Sequence, residues 1–345
     1  MTAKGPPALV VLLLATASAA CGRIFTPRAV PIEPIQGILD AFRSHPIVAL
    51  GEGMHGNEQS HAFRLALIRD PRFPAVVNDI VVEFGSARYQ DVMDRFVEGD
   101  DVPEWQLVHA WRDVAQNGSL TDLPIYEEFF RAVRAVNAAL PRERHLRVLL
   151  GDPPIHWEDI ASREDLQPWI ELRDSHAAAL INKEVLARNR RALVIYGDAH
   201  FVRHREWGGV ATPTLAGLLA DVGPTTVFSI WTNTTVQLER MQSTVASWPI
   251  PSLALVRGTK LGTVSFAAYS GLQSGRLMED QYDAVLYLGP VSTITSAQMS
   301  PALCRDAAYM KMRLSRLALS PPSPMGSDVE RFRNECAERL RQDKQ

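Results

Sequence analysis

An α/β fold with a mixed or mostly parallel central sheet, covered by helices on both faces, is predicted by three features of this chain. Short apolar runs recur at 46–51, 80–84, 147–152, 191–198, 227–231 and 284–288. Segments with helical spacing separate most of them, the alternation that builds sheets buried on both sides. Four of the runs close on polar residues, and the carboxyl ends of the strands are where open α/β sheets form their ligand cleft.

The N-terminus comes first. Lys4, the apolar run Ala8–Leu14 and the small residues Ala15–Ala20 follow the order of a secretory signal peptide, so 1–20 is read as one. The apolar run is shorter than the roughly 20 residues that span a bilayer. Ser18-Ala19-Ala20-Cys21-Gly22 has the outline of a lipoprotein cleavage site, with Ser18 where leucine is more usual. Three readings stay open: a membrane tether through lipidated Cys21, release into the periplasm or medium, or a misplaced start ahead of a cytoplasmic protein. Residues 21–34, mixed in polarity and containing prolines, read as a leader. The remainder, 35–345, reads as a single α/β domain with a helical C-terminal tail. Export would place Cys304 and Cys336 in an oxidising compartment, where a bridge between them would pin that tail.

Within the domain, Ile38, Leu39 and Phe42 have helical spacing, and Pro46–Gly51 is a buried strand. A helix begins over 62–68 and is closed by Pro71 and Pro74. Further helices are expected over 88–97, 105–111 and 125–140; in the last, Phe129, Phe130, Val133 and Val136 supply an apolar face. Pro153-Pro154 forces a loop after the third strand. A long helix is expected over 174–190, and 249–270 is expected to add antiparallel edge strands. The chain has 345 residues, is 46% hydrophobic and carries a formal net charge of −3, with arginines spread among acids. That distribution offers no basic footprint for a nucleic-acid backbone.

The polar strand ends are Gly51-Glu52-Gly53-Met54-His55-Gly56, then Glu83, then Gly151-Asp152, then Gly197-Asp198-Ala199-His200. Neither a dinucleotide-binding glycine pattern nor a G-x-S-x-G nucleophile elbow is present. Histidine titrates close enough to neutrality to accept or donate a proton, and a neighbouring carboxylate orients its ring. His55 is therefore the expected base, with Glu52 or Glu83 as its carboxylate. His200 is expected to serve as acid, as oxyanion stabiliser or as a co-ligand of a metal. Arg64 and Arg88 are placed to hold a carboxylate or developing negative charge, and Asp152 and Asp198 to line the same cleft. His200 and His204 have metal-like helical spacing but lack the glutamate of H-E-x-x-H.

These motifs, together with Arg64, Arg88 and the late segment Tyr282–Tyr287, resemble the erythromycin esterase family over roughly residues 45–290. That family belongs to a wider group with haem-binding lipoproteins of the ChaN type and the Tiki proteases. The resemblance implies a compact α/β fold and hydrolysis by water that His55 activates, with Glu52 orienting it. It also implies that Glu83 and His200 line the pocket and that Arg64 and Arg88 bind substrate or support the site. Family members carry a His-x-x-His pair where this chain has Gly197 and His200, and this chain is short for the family. The expected substrate is accordingly an ester, lactone or amide other than the macrolide. Two alternatives accompany this reading. One is metal-assisted hydrolysis, with His55, His200 and Glu83 as ligands. The other is a haem- or small-ligand-binding surface lipoprotein, with Tyr196, Tyr269, His200 or Met54 near the iron.

Overall fold

The six apolar runs are strands, and all six are aligned in parallel. The computed structural model describes residues 26–116, 118–207, 210–233, 244–266, 276–320 and 327–344. The expected signal peptide, Cys21 and Tyr269 lie outside the described residues. In chain order the strands are β1 (Ile47–Gly51), β2 (Asp79–Ser86), β3 (Arg147–Asp152), β4 (Ala192–Tyr196), β5 (Arg205–Trp207), β6 (Val210–Thr212), β7 (Val227–Asn233), β8 (Ser252–Leu255) and β9 (Ala284–Tyr287). The main sheet has the order β3-β2-β4-β1-β7-β9-β8, and β5 and β6 form a separate hairpin. Among the described strands of the main sheet, β8 alone runs antiparallel to its neighbour, pairing Leu253 with Leu286 at the sheet edge. The architecture is thus α/β, with a mixed, mostly parallel sheet flanked by helices on both faces.

Alternation along each strand divides the core in two, because successive side chains point to opposite faces. Val48, Leu50, Ile80, Val82, Leu193 and Ile195 join one cluster, with Leu67 and Ile68 of the helix Glu58–Arg69 and Phe129 of the helix Pro124–Ala138. Ile47, Ala49, Val81, Ala192 and Val194 join the other, with Ala177 and Ile181 of the helix Arg163–Glu184 and Leu215 of the helix Leu215–Ala220. The adjacent strands β1 and β4 send the chain on in opposite directions, β1 toward β2 and β4 toward β7. Such a divergence opens a crevice beyond the carboxyl ends of the two strands.

Several boundaries differ from the sequence expectation for physical reasons. The helix expected over 174–190 runs from Arg163 to Glu184 and contains Pro168. That proline reads as a helix breaker, whereas the helix starts at a capping box between Ser162 and Asp165. Asn189 in the left-handed conformation then turns the chain into β4. The first expected helix after β1 starts at Glu58, because the buried Asn57 side chain caps it through the Ser60 amide at 2.8 Å. Within 249–270 the described residues hold one strand, β8. Its outer edge is partly covered by the 26–33 segment through the bridge Ile32–Leu253. A disulfide joins Cys304 to Cys336 across a separation of 32 residues, linking the helices Pro301–Arg305 and Asp328–Gln342. Between them, Arg313 of the helix Ala307–Leu317 is fully buried against Asp122.

Candidate active site

The turn after β1 shapes the first half of the site. Gly53 and Gly56 adopt φ of 68° and 79°, the left-handed region that favours glycine. The tight turn brings His55 back onto Glu52, and Nδ1 lies 2.7 Å from Glu52 Oε2. The other carboxylate oxygen, Oε1, accepts from the buried Arg64 guanidinium on the following helix. Arg64 thus sits behind Glu52 and away from solvent, while the His55 side chain remains 27% exposed. Gly51 is required here: a Cβ at that position would lie 1.7 Å from Asp198 Oδ1.

The second half is built around Glu83. The pairing of β2 with β3 shifts register between Val82 and Ser86, and such irregularities re-aim side chains. The pairing of β2 with β4 ends at Val82 and Ile195. Beyond it, Glu83 takes over as acceptor: Oε2 receives the Gly197 amide at 2.5 Å. Its Oε1 receives Arg173 at 2.5 Å and lies 3.3 Å from His200 Nε2. His200 Nδ1 lies 2.5 Å from Asp174. Arg173 also donates to Asp152 at 2.9 Å, and Asp152 accepts the Ala115 amide as well. Gly197 closes the arrangement, since a Cβ there would lie 3.0 Å from His55 Nε2 and 3.4 Å from Glu83 Oε2.

Burial and charge set the protonation of these groups. Withdrawal from water alone would lower the His55 pKa, but the charges of Glu83 and Glu52 outweigh it and raise it to about 9. His200 behaves alike: burial is outweighed by Glu83 and Asp174, and it too rises to about 9. For Glu52, burial would raise the pKa, yet Arg64 and His55 hold it below its ordinary value. Glu83 is held well below by His200, Arg173 and His55 against its own burial. Among the described residues Asp198 has no arginine beside it, and the charge of His55 offsets its burial only in part. Burial pushes it to about 8, despite its acceptance of the Thr232 amide at 3.3 Å. Burial raises Asp152 to about 6, with Arg173 offsetting only part of the effect.

The structure brings Glu52, His55, Glu83 and His200 together, with Arg64 and Asp152 behind them as anchors. Asp198 ties the β1 turn to β7. Arg88 is not part of the cluster; it pairs with Glu158 through both guanidinium nitrogens, at 2.7 and 2.6 Å. His204 is exposed and lies beyond the short 3₁₀ turn Asp198–His200, so it shares no helix face with His200. Tyr196 is fully buried, its hydroxyl in the space that a Cβ on Gly151 would need. Sequence reasoning missed Arg173 and Asp174. Both lie in the helix Arg163–Glu184, far along the chain from the groups they hold, and no motif marks them.

Ligand atoms of Glu52, His55 and Glu83 lie within 4.8 Å of one another, a spacing that can hold a metal ion. The donor set fits one poorly. Both Glu52 oxygens are engaged, by Arg64 and His55, and Glu83 accepts from Arg173, Gly197 and His200. A dication would have to displace cations already in place, and the imidazole would have to shed its proton.

No family model matches this chain, and no curated protein matches it. Solved structures share its fold. A mutant erythromycin esterase, EreC, in its open conformation superposes with a TM-score of 0.51 at 11% identity, over 74% of this chain and 95% of that one. A Bacillus cereus protein superposes with a TM-score of 0.51 at 10% identity, over 79% of this chain and 97% of that one. ChaN of Campylobacter jejuni, with cofacially bound haem, reaches 0.41 at 11% identity, over 75% of this chain and 93% of that one. The first two define the class: an α/β fold of the architecture found in an esterase. At such identities the likeness concerns the fold alone. Among the described residues, no helix is long and apolar enough to cross a membrane.

Proposed function

We propose that this chain is a hydrolase of an ester, lactone or amide bond, in which His55 activates water. One observation carries the reading. The Nδ1 of His55 is fixed by Glu52, itself locked by Arg64, and Nε2 faces the gap beside Gly197 and Glu83. A carboxylate behind one ring nitrogen orients the other as the working atom. In its neutral form, His55 Nε2 takes a proton from water as the oxygen bonds to the carbonyl carbon. The imidazolium then returns that proton to the departing alcohol or amine. Protonated His200, held by Asp174, supplies positive charge for the oxyanion. Glu83 is a poor alternative base, because the charges of His200, Arg173 and His55 outweigh its burial and leave it with little affinity for a proton.

The experiment is hydrolysis of a panel of esters, lactones and amides by protein lacking residues 1–20, beside its His55→Ala variant. Turnover that disappears in the variant supports the assignment; equal turnover by both removes it. The spacing of Glu52, His55 and Glu83 is the one observation on the side of metal-assisted hydrolysis, and the ion pairs that already engage these carboxylates stand against it. Elemental analysis of protein purified without added metal tests it: a stoichiometric ion that is lost in the Glu83→Gln variant would replace the metal-free scheme. Export of the chain, with Cys21 as a lipidation site, completes the proposal. The bond between Cys304 and Cys336 supports an oxidising compartment, and incorporation of a labelled lipid precursor that Cys21→Ala abolishes is the test.

A further inference from the structure

Shortly after His200, the chain lines a cavity that contains no member of the hydrolytic cluster. It has a volume of about 400 Å³ and lies between the 203–205 segment, Thr212 and the helix Leu215–Ala220. That size falls within the roughly 300–1,000 Å³ of small-molecule sites. The helix packs directly on the segment. A Cβ at Gly217 would lie 3.0 Å from the Arg203 carbonyl oxygen, and the Thr214 hydroxyl donates to the Val202 carbonyl at 2.6 Å.

Its lining is cationic. Among the described residues Arg203, Arg205, Arg276 and His204 contribute to it, against the single acid Asp221. Arg203 is held in place from behind by Asp283, which also accepts the Ser229 amide at 2.8 Å. Arg205 differs. Among the described residues it makes no ion pair, and its Nε–H is buried without a hydrogen-bond partner. A buried guanidinium N–H without an acceptor is costly, and a planar fork of donors matches the two oxygens of a carboxylate or phosphate.

We propose that this cavity binds a small oxyanionic ligand, bearing a phosphate or carboxylate group, with Arg205 as its principal contact and Arg276 as a second. The site needs neither turnover nor the protonation state of His55, so it stands or falls apart from the hydrolytic reading.

Isothermal titration of the purified protein with sodium pyrophosphate and, separately, with succinate tests the proposal. Saturable binding of either probe is expected, and the tighter of the two names the oxyanion class. Arg205→Gln should weaken that binding about tenfold or more, the scale of one charge-assisted hydrogen bond. Arg276→Gln should weaken it too and serves as the second variant if Arg205→Gln folds poorly. Arg43→Gln, on an exposed arginine paired with Asp40, should leave it unchanged. Absence of saturable binding by the unaltered protein overturns the site. So does equal weakening by all three variants, which would mean diffuse screening of surface charge.

Discussion

Two histidine–carboxylate pairs flank Glu83, and they are built differently. Glu52 and His55 lie three residues apart in one glycine-shaped turn, so their contact is local. Asp174 and His200 meet at 2.5 Å from separate elements, a helix on one face of the sheet and the turn after β4. The backing cations differ in the same way. Arg64 follows Glu52 on the next helix, whereas Arg173 reaches Glu83 and Asp152 from the long helix Arg163–Glu184. The local pair leaves a ring nitrogen directed at the cleft. The remote pair spends both ring nitrogens on carboxylates, and this makes it a fixed source of positive charge.

On this contrast, replacement of the two histidines lowers activity unequally. His55→Ala removes the base and should lower kcat about 10²–10⁴-fold. His200→Ala removes a charge that stabilises the oxyanion and should cost about 10²–10³-fold. Steady-state kinetics on one shared substrate compares them, and a larger loss from His200→Ala would reverse the assigned roles. The next effect is on stability. Arg173→Met leaves Glu83 and Asp152 without their guanidinium, and breaking a buried ion pair on one side costs about 3–5 kcal/mol. Urea denaturation measures this, and a change under about 1 kcal/mol would mean that Arg173 is not a structural keystone of the remote pair.

Smaller effects follow from proton linkage. His55 and His200 rise from 6.5 to about 9 on folding, and Asp198 rises from 3.8 to about 8. In each case the folded state holds a proton that the unfolded state has lost. The stability from the two histidines is therefore full below about 6.5 and is lost as pH rises through about 9. Asp198 acts in the same direction up to about 8. The melting temperature should accordingly be lower at pH 9.5 than at pH 6.5, and a rise would contradict these proton affinities. Asp174→Asn should lower the His200 titration midpoint seen by NMR while leaving that of His55 nearly in place. The smallest effect belongs to Arg88, whose partner Glu158 is exposed. Arg88→Gln should leave turnover within about twofold, as expected for a surface pair.

The same contrast explains what could be read from the chain. The strands were legible because each is a short, uninterrupted apolar run buried on both faces, and the strand ends then placed Glu52, His55, Glu83 and His200 together. Arg64 was legible as a member of the site, since it lies one helix after the turn, but its burial behind Glu52 was not. Arg173 and Asp174 carry no signal because their roles arise only when the helix Arg163–Glu184 packs against β3. Pro168 further hid the start of that helix. Arg88 misleads for the opposite reason: it is close to Glu83 in sequence, yet the 3₁₀ turn Ala87–Tyr89 carries it away from the cluster toward Glu158.

The central claim is that neutral His55, tuned by Glu52, is the base, and the pH dependence of kcat/KM tests it most directly. The account predicts a limb that rises with pH as His55 loses its proton and a fall beyond about 9 as His200 loses its own, so that kcat/KM peaks near 9. In Glu52→Gln, which removes one of the charges that hold the proton on His55, that limb should move toward neutrality. Absence of a rising limb below about 9, or a rising limb that stays in place in Glu52→Gln, would contradict it.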